Sequence, residues 1–302
     1  MTNFLIIGIC LIAGIFVRRL NILPLDAHKG INAWLLYLAM PAVSFKYLPH
    51  IQWSLHLLFP LLAPVLVWVG AYAYIRFYSA RAKLSKSTAA GLTLTGGISN
   101  TSFLGFPMVA AFFSDKDIAI AVICDQIGFI ILTTLGVALA IHSSSASQQV
   151  SPKVFVKKML SFPAFWACGL ALILPRFIDI SALDPLFDRL AGTVAPLALF
   201  SIGLQLSFKG YKNQLKHISA TLLYKLLIAP AVLTLIALAF QLRGVVTQVT
   251  IFEMAMPPLM SASIVAGEYK LNPGLANLVI GIGMLLCFAT VTVWWLVMQI
   301  LL

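Results

Sequence analysis

The chain has 302 residues, 61% of them hydrophobic and only 10% charged, with a formal charge of +11 from 20 Lys and Arg against 9 Asp and Glu. A mean hydropathy of +1.00 excludes an ordinary soluble domain, in which about a quarter of residues are charged, and marks an integral membrane protein embedded in a lipid bilayer. The basic excess argues against a nucleic-acid partner, because it falls in short loops between apolar runs, where it sets topology instead.

Ten apolar runs predict membrane-spanning helices at about 3–17, 30–48, 54–78, 88–113, 117–141, 160–175, 190–207, 216–241, 246–267 and 273–300. The alternating ten-residue patterns of a transmembrane barrel are absent. The first run, MTNFLIIGIC, lacks a basic leader and a small-residue cleavage site, so it is expected to remain as the first helix. The fourth run holds the polar, helix-weakening stretch NTSFLGFP, Asn100 to Pro107, and the fifth holds VICDQIGF with Asp125 and Gln126. A Ser- and Gln-rich interruption, His142 to Lys158, then divides the chain into a first five-helix repeat (1–141), a linker (142–158) and a second repeat (159–302).

Corresponding features recur after the linker. YLAMPAVSF in the second run resembles TVAPLALFSIG in the seventh, and Pro107 in the fourth is matched by Pro257 and Pro258 in the ninth, at offsets of 155 and 150 residues. Five spans per half reverse the entry side, so the two repeats are inverted. The predicted fold is an all-α membrane protein of ten transmembrane helices in two inverted five-helix repeats, with helices 4 and 9 discontinuous. Lys and Arg number 14 on one side and 5 on the other, which puts the linker in the cytoplasm and both termini outside.

A broken span survives only where protein or a water-lined cavity satisfies the freed backbone groups, since lipid cannot. Two breaks at matching places in inverted halves point to a transporter site near the membrane midplane. Helix N-termini there favour an anion. Asn100, Thr101 and Ser102 add neutral donors at one break, Ser261 and Ser263 at the other, and the breaks themselves carry Pro107, Pro257 and Pro258. A pair of proline kinks absorbed by packing is the structural alternative. Asp125 and Glu253 lie inside apolar runs, where an ionised carboxylate costs about 2.5–3.5 kcal/mol on insertion scales; each could bind a sodium ion or carry a proton. Gln126 and Gln205 are either site contacts or helix-packing groups. Lys225, in LLYKLLIAP, could pair with an acid but is expected to reach an interface with its long stem.

The four cysteines lie singly in apolar runs and are expected to be buried thiols; the five histidines fall at span ends or in loops. No metalloprotease, phosphate-loop, nucleophile-elbow or paired-Asp motif is present, so neither a cofactor nor an enzyme activity is expected.

The fourth-run pattern GGISNTSFLGFPM, together with YLAMPA in the second run, APLALFSIGLQL in the seventh and the proline-interrupted ninth, resembles the auxin efflux carrier family, whose bacterial members include organic-acid permeases. The likeness covers essentially the whole chain. It implies a fold similar to bile acid sodium symporters, with helices 4 and 9 crossing at their breaks, spans 1, 2, 6 and 7 as a scaffold and the remainder as a mobile transport domain. It also implies substrate contact at Asn100, a crossover at Pro107 and Pro257 or Pro258, a polar role for Gln126 and a homodimer through the scaffold. Ser99, Asn100 and Glu253 are similar to the sodium ligands of bile acid symporter relatives, whereas plant auxin carriers do not need sodium. The expected function is secondary transport of a small mono- or dicarboxylate, malonate- or malate-like, across a plasma or bacterial inner membrane by elevator or rocking alternating access, coupled to sodium, to protons or to neither. The alternatives are a sodium-coupled carrier of bile-acid-like anions and a membrane receptor that binds the ligand without transporting it.

Overall fold

The computed structural model describes residues 2–24, 26–51, 54–144, 163–206 and 214–302. Most of the predicted linker, from 145 to 158, lies outside them. Among the described residues every regular element is a helix, and the sole extended pairing is an antiparallel bridge between Ser99 and Pro258.

Six helical runs are long and apolar enough to cross a membrane: Thr2–Arg19, Leu55–Ala82, Asp115–Ser143, Ser181–Gln205, Leu215–Ala239 and Pro273–Leu301. The second predicted span is a continuous helical stretch from Ala27 to His50 that passes through a π-helical turn at Leu35–Ala39. The fourth and ninth are each cut in two, as Lys86–Gly97 with Thr101–Phe112, which begins with a π-helical turn at Thr101–Gly105, and Val245–Met254 with Ser261–Glu268. The sixth is described from Pro163 onward.

The chain forms two compact units, each drawn from both halves of the sequence: Met1–Ser54 with Ser102–Val122 and Val156–Leu206, and Leu55–Thr101 with Ile123–Phe155 and Ser207–Leu302. In the first unit, Thr2–Arg19 packs along Val194–Gln205. Leu5, Ile9, Ile12 and Phe16 are exposed on one face of the first helix, while Gly14 is buried against the second. That is the reverse of a water-soluble helix, and it follows when the surroundings are as apolar as the interior and close backbone packing drives association. Gly203 answers Gly14: a Cβ on Gly203 would stand 2.5 Å from the Leu11 carbonyl oxygen and 2.8 Å from the Gly14 Cα. Polar groups finish the packing. Ser201 Oγ donates to Asn32 Oδ1 at 2.6 Å, and Gln205 Nε2 donates to the Ser201 carbonyl at 3.1 Å. The Gln205 bond lies within its own helix, Val194–Gln205. Lys46 pairs with Asp188 at 2.9 Å beside a stacked Phe45–Phe187 pair.

In the second unit, helix ends are set by local chemistry. Ser85 caps Lys86–Gly97 by accepting from the Thr88 N–H at 3.2 Å, and Asn272, with φ of 58°, accepts from Leu275 N–H ahead of Pro273. Gly283 on the last helix faces Pro258, where an added Cβ would lie 2.9 Å from the proline Cδ. The absent side chain lets that helix press against the ninth-span break.

Replacing Gly203 with Ala puts a methyl group onto backbone that has no flexible side chain to yield. The expected loss is about 1–3 kcal/mol, the usual range for overpacking. It is read as a lower unfolding midpoint in detergent, and an unchanged midpoint would contradict the close packing of the two helices.

Candidate functional site

The fourth span loses its helix after Gly97, where Ile98 turns extended with φ −126° and ψ 127°. The ninth loses it after Met254, ahead of two prolines that can donate no amide hydrogen. Each break leaves backbone groups unpaired in a setting without water, and each satisfies the other. The Asn100 N–H donates to the Pro257 carbonyl at 2.8 Å, and the Leu259 N–H donates to the Ile98 carbonyl at 3.0 Å, with Ser99 opposite Pro258. Pro258 sits where the antiparallel pairing asks it for no donor, which reconciles two adjacent prolines with a bridged backbone.

Around this bridge the side chains fall into three groups. Asn100 is fully buried, and neither its Oδ1 nor its Nδ2 meets a hydrogen-bond partner. Glu253, one residue before the end of Val245–Met254, is also fully buried with both carboxyl oxygens unpartnered, and Gln126 Oε1 is likewise buried and unmatched. Such atoms cost about 1–3 kcal/mol each, more when charged, unless something else binds them. In the second group, Thr101 Oγ1 donates to Asp125 Oδ1 at 2.6 Å. The half-buried Asp125 is thereby tied directly to the residue after the break.

The third group centres on Lys225. Its side chain is completely buried, in a π-helical turn at Tyr224–Ile228, and its Nζ donates to Ser99 Oγ and to the Met254 carbonyl at 2.9 Å. The interface-reaching role expected for Lys225 is therefore corrected: its side chain is buried, and the ammonium finds acceptors at the helix break instead. A small cavity beside the bridge is lined by Ile98, Ser99, Thr101, Cys124 and Met254 among others.

The other expected site residues lie differently. Ser102 and Pro107 are buried but belong to the first unit, and Pro107 lies inside the continuous helical stretch Thr101–Phe112, just after its π-helical turn Thr101–Gly105 and past the bridged backbone. Ser263 Oγ donates back to the Met260 carbonyl at 2.9 Å, and Ser261 begins the helix after the second break. Pro257 and Pro258 are both buried at the bridge. Sequence reasoning passed over Lys225 as a site residue, although an ionisable group in the middle of an apolar run was the same signal that singled out Glu253.

The model of a family described as membrane transport protein matches residues 1–295. The chain belongs to that family, the auxin efflux carriers. An uncharacterized transporter of Methanothermobacter thermautotrophicus is 24% identical over 95% of this chain and 94% of its own length. A second, of Methanocaldococcus jannaschii, is 27% identical over 90% of each chain. Family membership and the apolar helices together make the chain an integral membrane protein of a transporter family.

Thr101→Val keeps the shape of the side chain and deletes the donor to Asp125. Hydrogen bonds to charged groups contribute about 1.5–3 kcal/mol, so the variant is expected to unfold at a lower temperature in detergent than wild type, with Thr101→Ser close to wild type. Equal midpoints for all three would remove the Thr101–Asp125 bond from the account.

Proposed function

We propose that this auxin efflux carrier family member is a secondary transporter of a small organic anion, a mono- or dicarboxylate of malonate or malate size, and that the paired breaks are its binding site. The observation that carries the reading is the fully buried Asn100 amide beside the bridge, with donor and acceptor both unmatched. A carboxylate oxygen accepts from the Asn100 Nδ2, and the half-helix that restarts at Ser261 adds the positive end of its dipole. Thr101, Asp125 and Gln126 border the site, and Pro257 and Pro258 shape it.

The transport cycle is alternating access by an elevator or rocking motion. The unit containing Ile98–Asn100 and Pro257–Leu259 moves, and the unit containing Thr2–Arg19 and Val194–Gln205 is the scaffold. That division supports the reading because it separates spans 1, 2, 6 and 7 from most of the rest, the grouping that the resemblance to bile acid symporters implies. In this reading the termini lie outside, the linker is cytoplasmic, the membrane is a plasma or bacterial inner membrane, and the scaffold helices pair in a homodimer. An inside-negative potential of about 100 mV favours exit of a monovalent anion by about 2.3 kcal/mol, so uncoupled transport exports. Uptake requires a cation or proton, for which Glu253 and Asp125 are the available carboxyl groups.

Counterflow of labelled malonate in proteoliposomes, with unlabelled carboxylates as competitors, tests the proposal. Exchange that Asn100→Ala reduces at least about tenfold, the effect of losing about 1.4 kcal/mol of binding, is the expected result. No exchange of any carboxylate by protein shown to be folded would overturn it.

A further inference from the structure

The oxygen atoms gathered at the ninth-span break are those a hard cation takes: a helix-end carbonyl from Met254, the Ser99 hydroxyl, and the Glu253 carboxyl next along the chain. A sodium ion at Ser99, Asn100 and Glu253 is what the likeness to bile acid symporters implies. The residues present do not fit that ion. Two of the oxygens, Ser99 Oγ and the Met254 carbonyl, already accept from Lys225 Nζ. A second unit charge at the same oxygens would stand within a few ångströms of the ammonium, in surroundings that screen it poorly.

We infer that Lys225 is a tethered cation that takes the place of a coupling sodium ion at the crossover, so that the site binds no sodium while Lys225 is present. Several features of the fold serve this. The π-helical turn at Tyr224–Ile228 sets Lys225 between the buried Tyr224 and Leu226, ahead of Pro230. The ammonium lies at the C-terminal end of Val245–Met254, where the helix dipole is negative and carbonyls lack helical partners. It also bridges the two broken spans, because Ser99 belongs to one and Met254 to the other. A free ion would have to bind in every cycle to join them; the lysine does so permanently. The positive charge that offsets a substrate carboxylate is then part of the protein and moves with the unit that holds the site. This inference takes the crossover as the transport site, but its test needs no substrate.

The full chain in nanodiscs is titrated with sodium chloride against potassium and choline chloride at equal ionic strength, and the unfolding midpoint is followed. Wild type is expected to give the same midpoint in all three salts. Lys225→Met leaves the Met254 carbonyl, Ser99 hydroxyl and Glu253 carboxyl without their cation. Its midpoint should fall in choline and recover with sodium, rising with the logarithm of sodium concentration above the dissociation constant. Lys225→Met combined with Glu253→Gln should lose that sodium response. A sodium-specific rise in wild type overturns the inference, and so does a folded Lys225→Met protein that sodium does not stabilise. Should Lys225→Met fail to fold, the wild-type titration decides. Failure here leaves malonate counterflow untouched, and absence of counterflow leaves this result standing.

Discussion

Two backbone hydrogen bonds, from Asn100 N–H to the Pro257 carbonyl and from Leu259 N–H to the Ile98 carbonyl, are the constraint on which the second unit depends. A helix interrupted in hydrocarbon has nowhere to send its freed amides and carbonyls, and each unsatisfied group costs several kcal/mol. Pairing one interruption with another answers that cost for both at once. It also fixes where the neighbouring side chains go. Ser99 must face Pro258, Asn100 must enter the protein interior, and the end of Val245–Met254 must lie within reach of a side chain from Tyr224–Ile228. Gly283 contributes by having no side chain, since a larger residue would collide with Pro258.

Charge then follows from geometry. The break exposes the negative end of one helix, and Lys225 is the group that meets it. A buried ammonium is costly by itself, but here it has two oxygen acceptors and a carboxyl group nearby. Asp125 accepts a hydrogen bond from Thr101, the residue after the first break. The two carboxyl groups therefore have different surroundings. Asp125 has a donor and partial exposure, and Glu253 has full burial and two unmatched oxygens.

Much of this was legible in the sequence because breaks announce themselves in an apolar run. NTSFLGFP carries Asn, Gly and Pro and EMAMPP two prolines where a plain span would carry Leu and Val, and the helix is lost at Ile98–Asn100, where the first stretch begins, and after Met254 within the second. What the pattern could not give was register. Pro107 is the conspicuous residue of the first stretch, yet it lies inside the helical stretch Thr101–Phe112, and the backbone that bridges is Ile98–Asn100, where extended residues can both donate and accept. Lys225 was ambiguous for a related reason: a lysine stem long enough to reach an interface is equally long enough to reach a carbonyl, and only the three-dimensional neighbours decide. Periodicity within a span says nothing about its partners, so a grouping of segments from both sides of the linker came only from the family resemblance.

The central claim is that the bridged breaks form an anion site at Asn100. The most direct measurement is an experimental structure of the protein in lipid with malonate present at saturating concentration. The account predicts density for the dicarboxylate within hydrogen-bond distance of the Asn100 side-chain amide, with Lys225 still donating to Ser99 and the Met254 carbonyl. Malonate density elsewhere, with Asn100 packed against protein alone, would contradict it.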